Sequence, residues 1–244
     1  MGEMSIMRIS ITGAGSGIGA ATARLLIERG HQVACLDRDI EAAQRVAGGA
    51  HPAIAVDVAD EEAVVRAFGE VRAAFSGLDA LATCAGIFET TSFEETTVAM
   101  FRRVHEVNVI GTFLCLREAA GMMEAGGRIC TVASVAGLRG GGLAGTVSYA
   151  TSKGAVLAMT KNAARVLGPK GIAVNTIAPG MIDTPFAATP LKDPATRARV
   201  EGMTSFNRLG TAEEIAPAIA WLLSPEASYV HGATLVADGG MVMY

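Results

Sequence analysis

Apolar residues fall along the chain in two rhythms. Short continuous runs at 8–12, 32–36, 53–56, 80–83, 128–132, 173–177 and 234–236 carry little polar interruption, the pattern of strands covered on both faces. Between them, at 17–29, 40–46, 61–75, 101–123, 149–167 and 212–223, apolar positions recur at helical spacing. This alternation predicts right-handed crossovers and an α/β fold: a doubly wound parallel sheet of about seven strands with helices on both faces. Gly30 follows the first helical run and is placed to end it and turn the chain. No linker, repeat or low-complexity stretch divides the sequence, so residues 1–244 read as a single domain. The rhythm breaks once, at 185–208, which is polar, carries Pro185, Pro190 and Pro194, and lacks a clean strand. A loop of about 20 residues inside a compact domain is commonly functional. Following the sixth strand, it falls at the carboxyl edge of the sheet, where open α/β proteins bind ligands. A substrate lid is expected there.

Composition narrows the classes of function. The 244 residues include 20 basic and 24 acidic side chains, a formal net charge of −4. Nucleic-acid surfaces and polybasic membrane patches need clustered Lys and Arg, and neither kind of partner is expected here. A hydrophobic share of 50% against 18% charged excludes disorder. No apolar run approaches the ~18–20 residues of a membrane-spanning helix. Cys35, Cys84, Cys115 and Cys130 lie in apolar stretches without metal-ligand spacing, and read as small core residues in a reducing compartment. His31, His51, His105 and His231 are scattered, and no metal site is expected from them. Residues 1–7 lack the features of a signal peptide, so a cytoplasmic location is expected.

Two local patterns carry chemistry. Thr12-Gly13-Ala14-Gly15-Ser16-Gly17-Ile18-Gly19 follows the first strand and opens the first helix. Glycines there permit a tight turn and close backbone approach to a pyrophosphate, which the helix N-terminus attracts. Strand, glycine turn and helix come in the order that dinucleotide binding requires. Asp37 ends the second strand, at the spacing expected of an acid that takes the adenosine ribose hydroxyls. A carboxylate there repels a 2′-phosphate and favours NAD over NADP, although the adjacent Arg38 could swing toward such a phosphate. Tyr149 and Lys153 sit four residues apart at the start of a helical run, on one face. An ammonium beside a phenol favours the phenolate and would bring its proton transfer nearer neutrality.

Together these residues resemble the classical short-chain dehydrogenase/reductase family, from Thr12 to Gly240, and the resemblance implies a Rossmann fold. Thr12 to Gly19 is similar to the family's TGxxxGIG turn, and Asp57-Val58 to its adenine-contacting pair. Cys84-Ala85-Gly86 resembles the end of an Asn-Asn-Ala-Gly element, with Thr83 and Cys84 replacing the asparagines, so that the backbone must carry their role. Asn108 matches the proton-relay asparagine and Ser134 the catalytic serine. Pro179-Gly180, with Ile182 and Thr184 just beyond, resembles the turn that holds the nicotinamide carboxamide, and Asp238-Gly239-Gly240 the C-terminal signature. By this resemblance Gly13, Ser16, Gly17, Ile18, Gly19, Asp37, Arg38, Asp57, Val58, Ala85, Gly86, Asn108, Tyr149, Lys153, Pro179, Gly180, Ile182 and Thr184 bind the cofactor. Ser134 would bond the substrate oxygen and Tyr149 would exchange its proton. Lys153 would lower the Tyr149 pKa and hold the nicotinamide ribose, and Asn108 would position a water that relays the proton. Phe88, Leu143, Met181 and Phe186, together with Ser134 and Tyr149, are expected to line the substrate pocket. The family also implies a homotetramer or dimer, through helices at 109–123 and 149–167.

Three functions compete on these residues. The leading one is an NAD(H)-dependent oxidoreductase for a small, cyclic or polyol secondary alcohol or its ketone. An NADPH-dependent 3-oxoacyl-thioester reductase of fatty acid synthesis would use the same catalytic residues, but Asp37 and the absence of Lys or Arg between Gly13 and Gly19 oppose it. A non-catalytic dinucleotide sensor would have no use for Ser134, Asn108, Tyr149 and Lys153 together.

Overall fold

The computed structural model describes residues 6–141, 146–188 and 190–243. Strands β1 (Arg8–Thr12), β2 (Gln32–Asp37), β3 (Ala53–Ala55), β4 (Ala80–Thr83), β5 (Arg128–Val132) and β6 (Ala173–Pro179) are followed by the short β7 (Ile182–Asp183) and β8 (Gly210–Thr211), then β9 (Thr234–Ala237). Seven of them form one parallel sheet in the order β3-β2-β1-β4-β5-β6-β9. The order reverses at β1, which pairs with β2 on one side (Ile9 opposite Val33) and β4 on the other (Ile9 opposite Ala80). That switch point opens a crevice at the carboxyl ends of the strands.

Helices α1 (Gly17–Glu28), α2 (Ile40–Ala47), α3 (Glu61–Phe75), α4 (Val98–His105), α5 (Gly111–Ala120), α6 (Val135–Arg139), α7 (Val147–Leu167), α8 (Pro194–Glu201) and α9 (Ala212–Leu222) complete the order. Alternate strand residues point to opposite faces. Ile9, Ile11, Val33 and Cys35 pack under Leu26 of α1, Val46 of α2 and Ile219 of α9. Leu36, Leu81, Ile129 and Val174 pack on the other side, under Phe68 of α3, Leu114 of α5 and Leu167 of α7. Each such fully buried Ile or Leu contributes about 1.5–3 kcal/mol. Predominantly apolar strands thus follow from two covered faces, with the polar Ser10, Thr131, Asn175 and Thr176 buried among them. Gly30 takes φ +83°, beyond what a side chain readily adopts, and ends α1 as expected.

Two elements depart from the sequence expectation. The helix expected over 101–123 is broken into α4, a turn of π-helix at Glu106–Ile110, and α5. The wider turn accommodates the fully buried Asn108, and Gly111 follows because Val58 packs against it: a Cβ there would lie 2.7 Å from Val58 Cγ2. The segment at 185–208 is not a plain loop but contains α8, started by Asp193, whose carboxylate accepts from the Thr196 N–H at 2.9 Å. Leu191, Val200 and Leu209 form a small apolar cluster that docks this segment on Met181.

Candidate active site

The carboxyl edge of the sheet opens into a cleft of about 420 Å³ that runs from the glycine turn to Phe186. At one end the chain leaves β1 through Gly13, at φ +68°, where a Cβ would lie 2.7 Å from Ala85 N. A Cβ on Gly19 would run into the Gly13 carbonyl oxygen, so the turn closes only on glycine. Ser16, the residue capping α1, makes no side-chain cap bond, and the first turn of α1 carries no acid. Its N–H groups and positive dipole end are left for an anion. Asp37 reaches the same turn, Oδ2 accepting from Gly15 N at 2.8 Å and Oδ1 from Asp39 N at 2.9 Å. Such a cradle fits the pyrophosphate and adenosine ribose of a nicotinamide dinucleotide. Arg38 is exposed beside it. Asp57 caps its own loop through Ala59 N at 3.0 Å and pairs with Arg103 of α4 at 3.7 Å.

Thr83 and Cys84 replace two amides, and the backbone does the work. Cys84 N donates to Thr12 O at 3.1 Å and Ala85 N to Thr12 Oγ1 at 3.3 Å, fixing the end of β4 to that of β1. Thr83 Oγ1 itself is buried without a hydrogen-bond partner among the described residues.

Chemistry concentrates further along. Ser134 caps α6, its Oγ accepting from Ala136 N at 3.1 Å, which leaves its O–H to donate elsewhere. Tyr149 and Lys153 project from the first turns of α7. Lys153 is only 5% exposed, and its Nζ donates to Val132 O at 2.8 Å. Burial lowers the Lys153 pKa from 10.5 to about 8, since an ammonium out of water loses its hydration. The same effect raises Tyr149 to about 12, against a smaller downward pull from the Ser134 hydroxyl. The Lys153 Nζ stands 5.7 Å from the phenol ring centre, and burial is the larger influence on the Tyr149 hydroxyl.

Asn108 is held rather than free. Its Oδ1 accepts from Ile87 N at 2.8 Å, and its Nδ2 donates to Ile87 O at 2.9 Å and Ser152 Oγ at 3.0 Å. Ser152 in turn donates to Tyr149 O at 2.7 Å, so the asparagine ties α7 to the segment after β4. Sequence reasoning missed Ser152; the signal was a serine on the buried face of a helix, one turn beyond Tyr149. A Cβ on Gly86 would lie 3.2 Å from Asn108 Oδ1 and 3.5 Å from Lys153 Nζ, which places the three together.

Val58, Pro179, Gly180, Met181, Ile182 and Thr184 all line the cleft. Thr184 lies across from the start of α1, its side chain 3.6 Å from where a Gly17 Cβ would be. The far end is aromatic: Phe88 and Phe186 have ring centres 4.5 Å apart and lie 5.9 and 6.1 Å from that of Tyr149. Leu143 falls outside the described residues. Cys84 also lines the cleft, as do Arg103, Arg139, Val200, Met203 and Met241, which were not anticipated because segments distant in sequence bring them there.

Comparison with known proteins identifies the family. A family model described as enoyl-(acyl carrier protein) reductase matches residues 13–242. The chain is 41% identical to a cis-4-hydroxycyclohexanecarboxylate dehydrogenase of Sinomonas cyclohexanicum over 98% of both proteins. It is 37% identical to a 2,5-dichloro-2,5-cyclohexadiene-1,4-diol dehydrogenase of Sphingobium indicum, again over 98% of each. A short-chain dehydrogenase from Burkholderia cenocepacia, solved in complex with NADP, superposes with a TM-score of 0.90 at 34% identity, covering 98% of this chain and 99% of that one. On sequence and fold alike, the chain belongs to the classical short-chain dehydrogenase/reductase family of oxidoreductases.

Proposed function

We propose that the protein is an NAD(H)-dependent dehydrogenase that interconverts a cyclic secondary alcohol and its ketone. The observation that carries the reading is the convergence of Ser134, Tyr149 and Lys153 on the cleft that begins at the glycine turn. The bound nicotinamide supplies the acceptor or donor of the hydride. Ser134 donates its O–H to the substrate oxygen, and Tyr149 takes or returns that oxygen's proton. Lys153, anchored by Val132 O, turns its remaining N–H groups to the nicotinamide ribose and to the phenol. Asn108 acts as a brace that sets the start of α7, and a relay water beside it would meet Lys153 across Gly86. Pre-set geometry and proton management are what the protein adds to the hydride transfer.

Asp37 supports NAD, because its carboxylate is fixed against the turn by Gly15 N, where a 2′-phosphate would meet like charge. Phe88, Phe186 and Met181 support a compact carbocyclic substrate, and the two relatives above are named for six-membered carbocyclic alcohols. The segment at 185–208 serves in this reading as the lid over one catalytic domain spanning 1–244. A cytoplasmic enzyme assembling as a homo-oligomer is part of the same proposal. Arg38, which lines the cleft beside Asp37, favours the NADPH-dependent 3-oxoacyl reductase as a second reading, together with the NADP-bound neighbour and the family model described for an acyl carrier protein substrate.

The test follows NADH or NADPH formation from cyclohexanol and methylcyclohexanols with NAD or NADP, and NADH or NADPH consumption with acetoacetyl thioesters, with Tyr149→Phe alongside. Turnover with NAD that falls about 10²–10⁴-fold in Tyr149→Phe is expected. Turnover confined to NADPH and acetoacetyl thioesters would establish the second reading instead.

A further inference from the structure

We infer that Arg139 is a specificity-determining residue that docks a carboxylate carried by the substrate about one ring away from its alcohol. The inference rests on the alcohol-dehydrogenase reading above and narrows its substrate class to hydroxy acids built on a small carbocycle.

Six charged side chains line the cleft: Asp37, Arg38, Asp57, Arg103, Arg139 and Lys153. Asp37 and Arg38 lie beside the glycine turn, at the end of β2. Asp57 and Arg103 pair with each other at 3.7 Å. Lys153 is buried and bonded to Val132 O. Arg139 alone belongs to the element that begins at Ser134, the residue that caps α6. The ion pairs among the described residues engage Arg8, Arg66, Arg103, Arg117, Arg197 and Arg208 and leave Arg139 without a partner.

Helix geometry aims it. Gly137 faces α7 so closely that a Cβ would lie 2.6 Å from the Lys153 carbonyl carbon. Val135, Ala136 and Arg139 lie on the cleft side, where positions three and four apart share a face. Arg139 lies five positions beyond Ser134, a rise of about 7.5 Å along the helix. Arg139 is exposed where it lines the cleft, on the face it shares with Val135 and Ala136, and helical side chains lean toward the N-terminus, along α6 in the direction of the Ser134 end. Phe88 and Met181 add apolar surface to the same cleft. A substrate that fits this arrangement has a carbinol for Ser134 and Tyr149, a carbocyclic body, and an anion opposite. A planar guanidinium fork matches a carboxylate with two parallel hydrogen bonds. An arginine that only favours the carbonyl end of α6 would influence stability without distinguishing charged from neutral substrates.

The experiment compares 4-hydroxycyclohexanecarboxylate, as separate cis and trans isomers, with 4-methylcyclohexanol, in wild type, Arg139→Met and Arg139→Lys. In wild type kcat/KM should favour one carboxylate isomer over the neutral alcohol. In Arg139→Met that preference should fall about 10- to 100-fold, chiefly through KM, and Arg139→Lys should restore part of it. Equal preference in wild type and Arg139→Met would overturn the inference while leaving the dehydrogenase intact. Binding of unreactive cyclohexanecarboxylate to the NADH complex, measured by calorimetry, separates the two failures. If none of the alcohols is oxidised but cyclohexanecarboxylate binds wild type at least 10-fold more tightly than Arg139→Met, the carboxylate site stands and the alcohol-dehydrogenase reading falls. Equal binding to both proteins removes the site.

Discussion

Lys153 is a destabilising residue in the folded enzyme, and the arithmetic of its proton says by how much and when. Its pKa drops from 10.5 to about 8 on folding because burial strips water from the ammonium. Below pH 8 both states are protonated and the penalty is felt in full. As pH rises from 8 toward 10.5 the folded state loses its proton first, and the penalty fades. Lys153→Met should therefore stabilise the cofactor-free protein at pH 7 by a net on the order of 2 kcal/mol after the lost bond to Val132 O, and so raise its Tm. The gain should shrink steadily between pH 8 and 10.5, and a calorimetric pH series checks it. Asp37 can be handled with the same directness. Its Oδ2 is held at 2.8 Å from Gly15 N in the phosphate turn. Asp37→Ser removes the charge that opposes a 2′-phosphate, so kcat/KM with NADP should rise about 10- to 100-fold relative to NAD. An unaltered ratio would show that Asp37 only braces the turn.

Among the elements, α9 depends most visibly on one side chain. Glu214 accepts from Thr211 N at 2.9 Å and from both Arg208 terminal nitrogens, at 2.6 and 2.7 Å. Arg208 thereby lowers its pKa from 4.5 to about 2. A depressed carboxylate stabilises fully above its unfolded value and stops doing so as pH falls through the folded one. Glu214→Gln should melt below wild type at pH 6, and the gap should close as pH drops from 4.5 to 2. Because α9 packs on α1 through Ala21, Ala212 and Ala216, NADH binding should weaken with it. Elements with a clear period, such as α3 and α7, were legible in the sequence to within two residues. The π-turn was not, because one extra residue per turn leaves the apolar rhythm of 101–123 almost unchanged. Only the need to bury Asn108 against Ile87 explains it. By contrast α8 had a readable start in Asp193-Pro194, hidden by its polar outward face and its single buried residue, Val200.

At the scale of the molecule, the sheet was legible because the longer strands β1, β2, β5 and β6 are buried on both faces and so carry predominantly apolar runs. The cofactor end of the cleft was legible for a related reason: a glycine turn is a backbone requirement, and backbone requirements are written locally. The substrate end joins Ala136, Met181, Met203 and Met241 from four separate segments, and no local pattern announces such a meeting. A comparable question concerns the outer surface of α5 and α7, where the proposed assembly would form. Ile110 and Phe113, three residues apart at the start of α5, are 41% and 48% exposed, and Val166 near the end of α7 is 57% exposed. Burying large apolar side chains of this kind between protomers favours association by about 25 cal/mol per Å², whereas a charge placed among them would have to be desolvated without a partner. Phe113→Asp should accordingly leave the circular dichroism of the protomer in place while lowering the particle mass. Light scattering on wild type should return four times the 25.0 kDa chain mass, or twice it for a dimer. A wild-type particle of one chain mass would remove the assembly from the proposal. A variant that keeps the wild-type mass would move the interface away from α5.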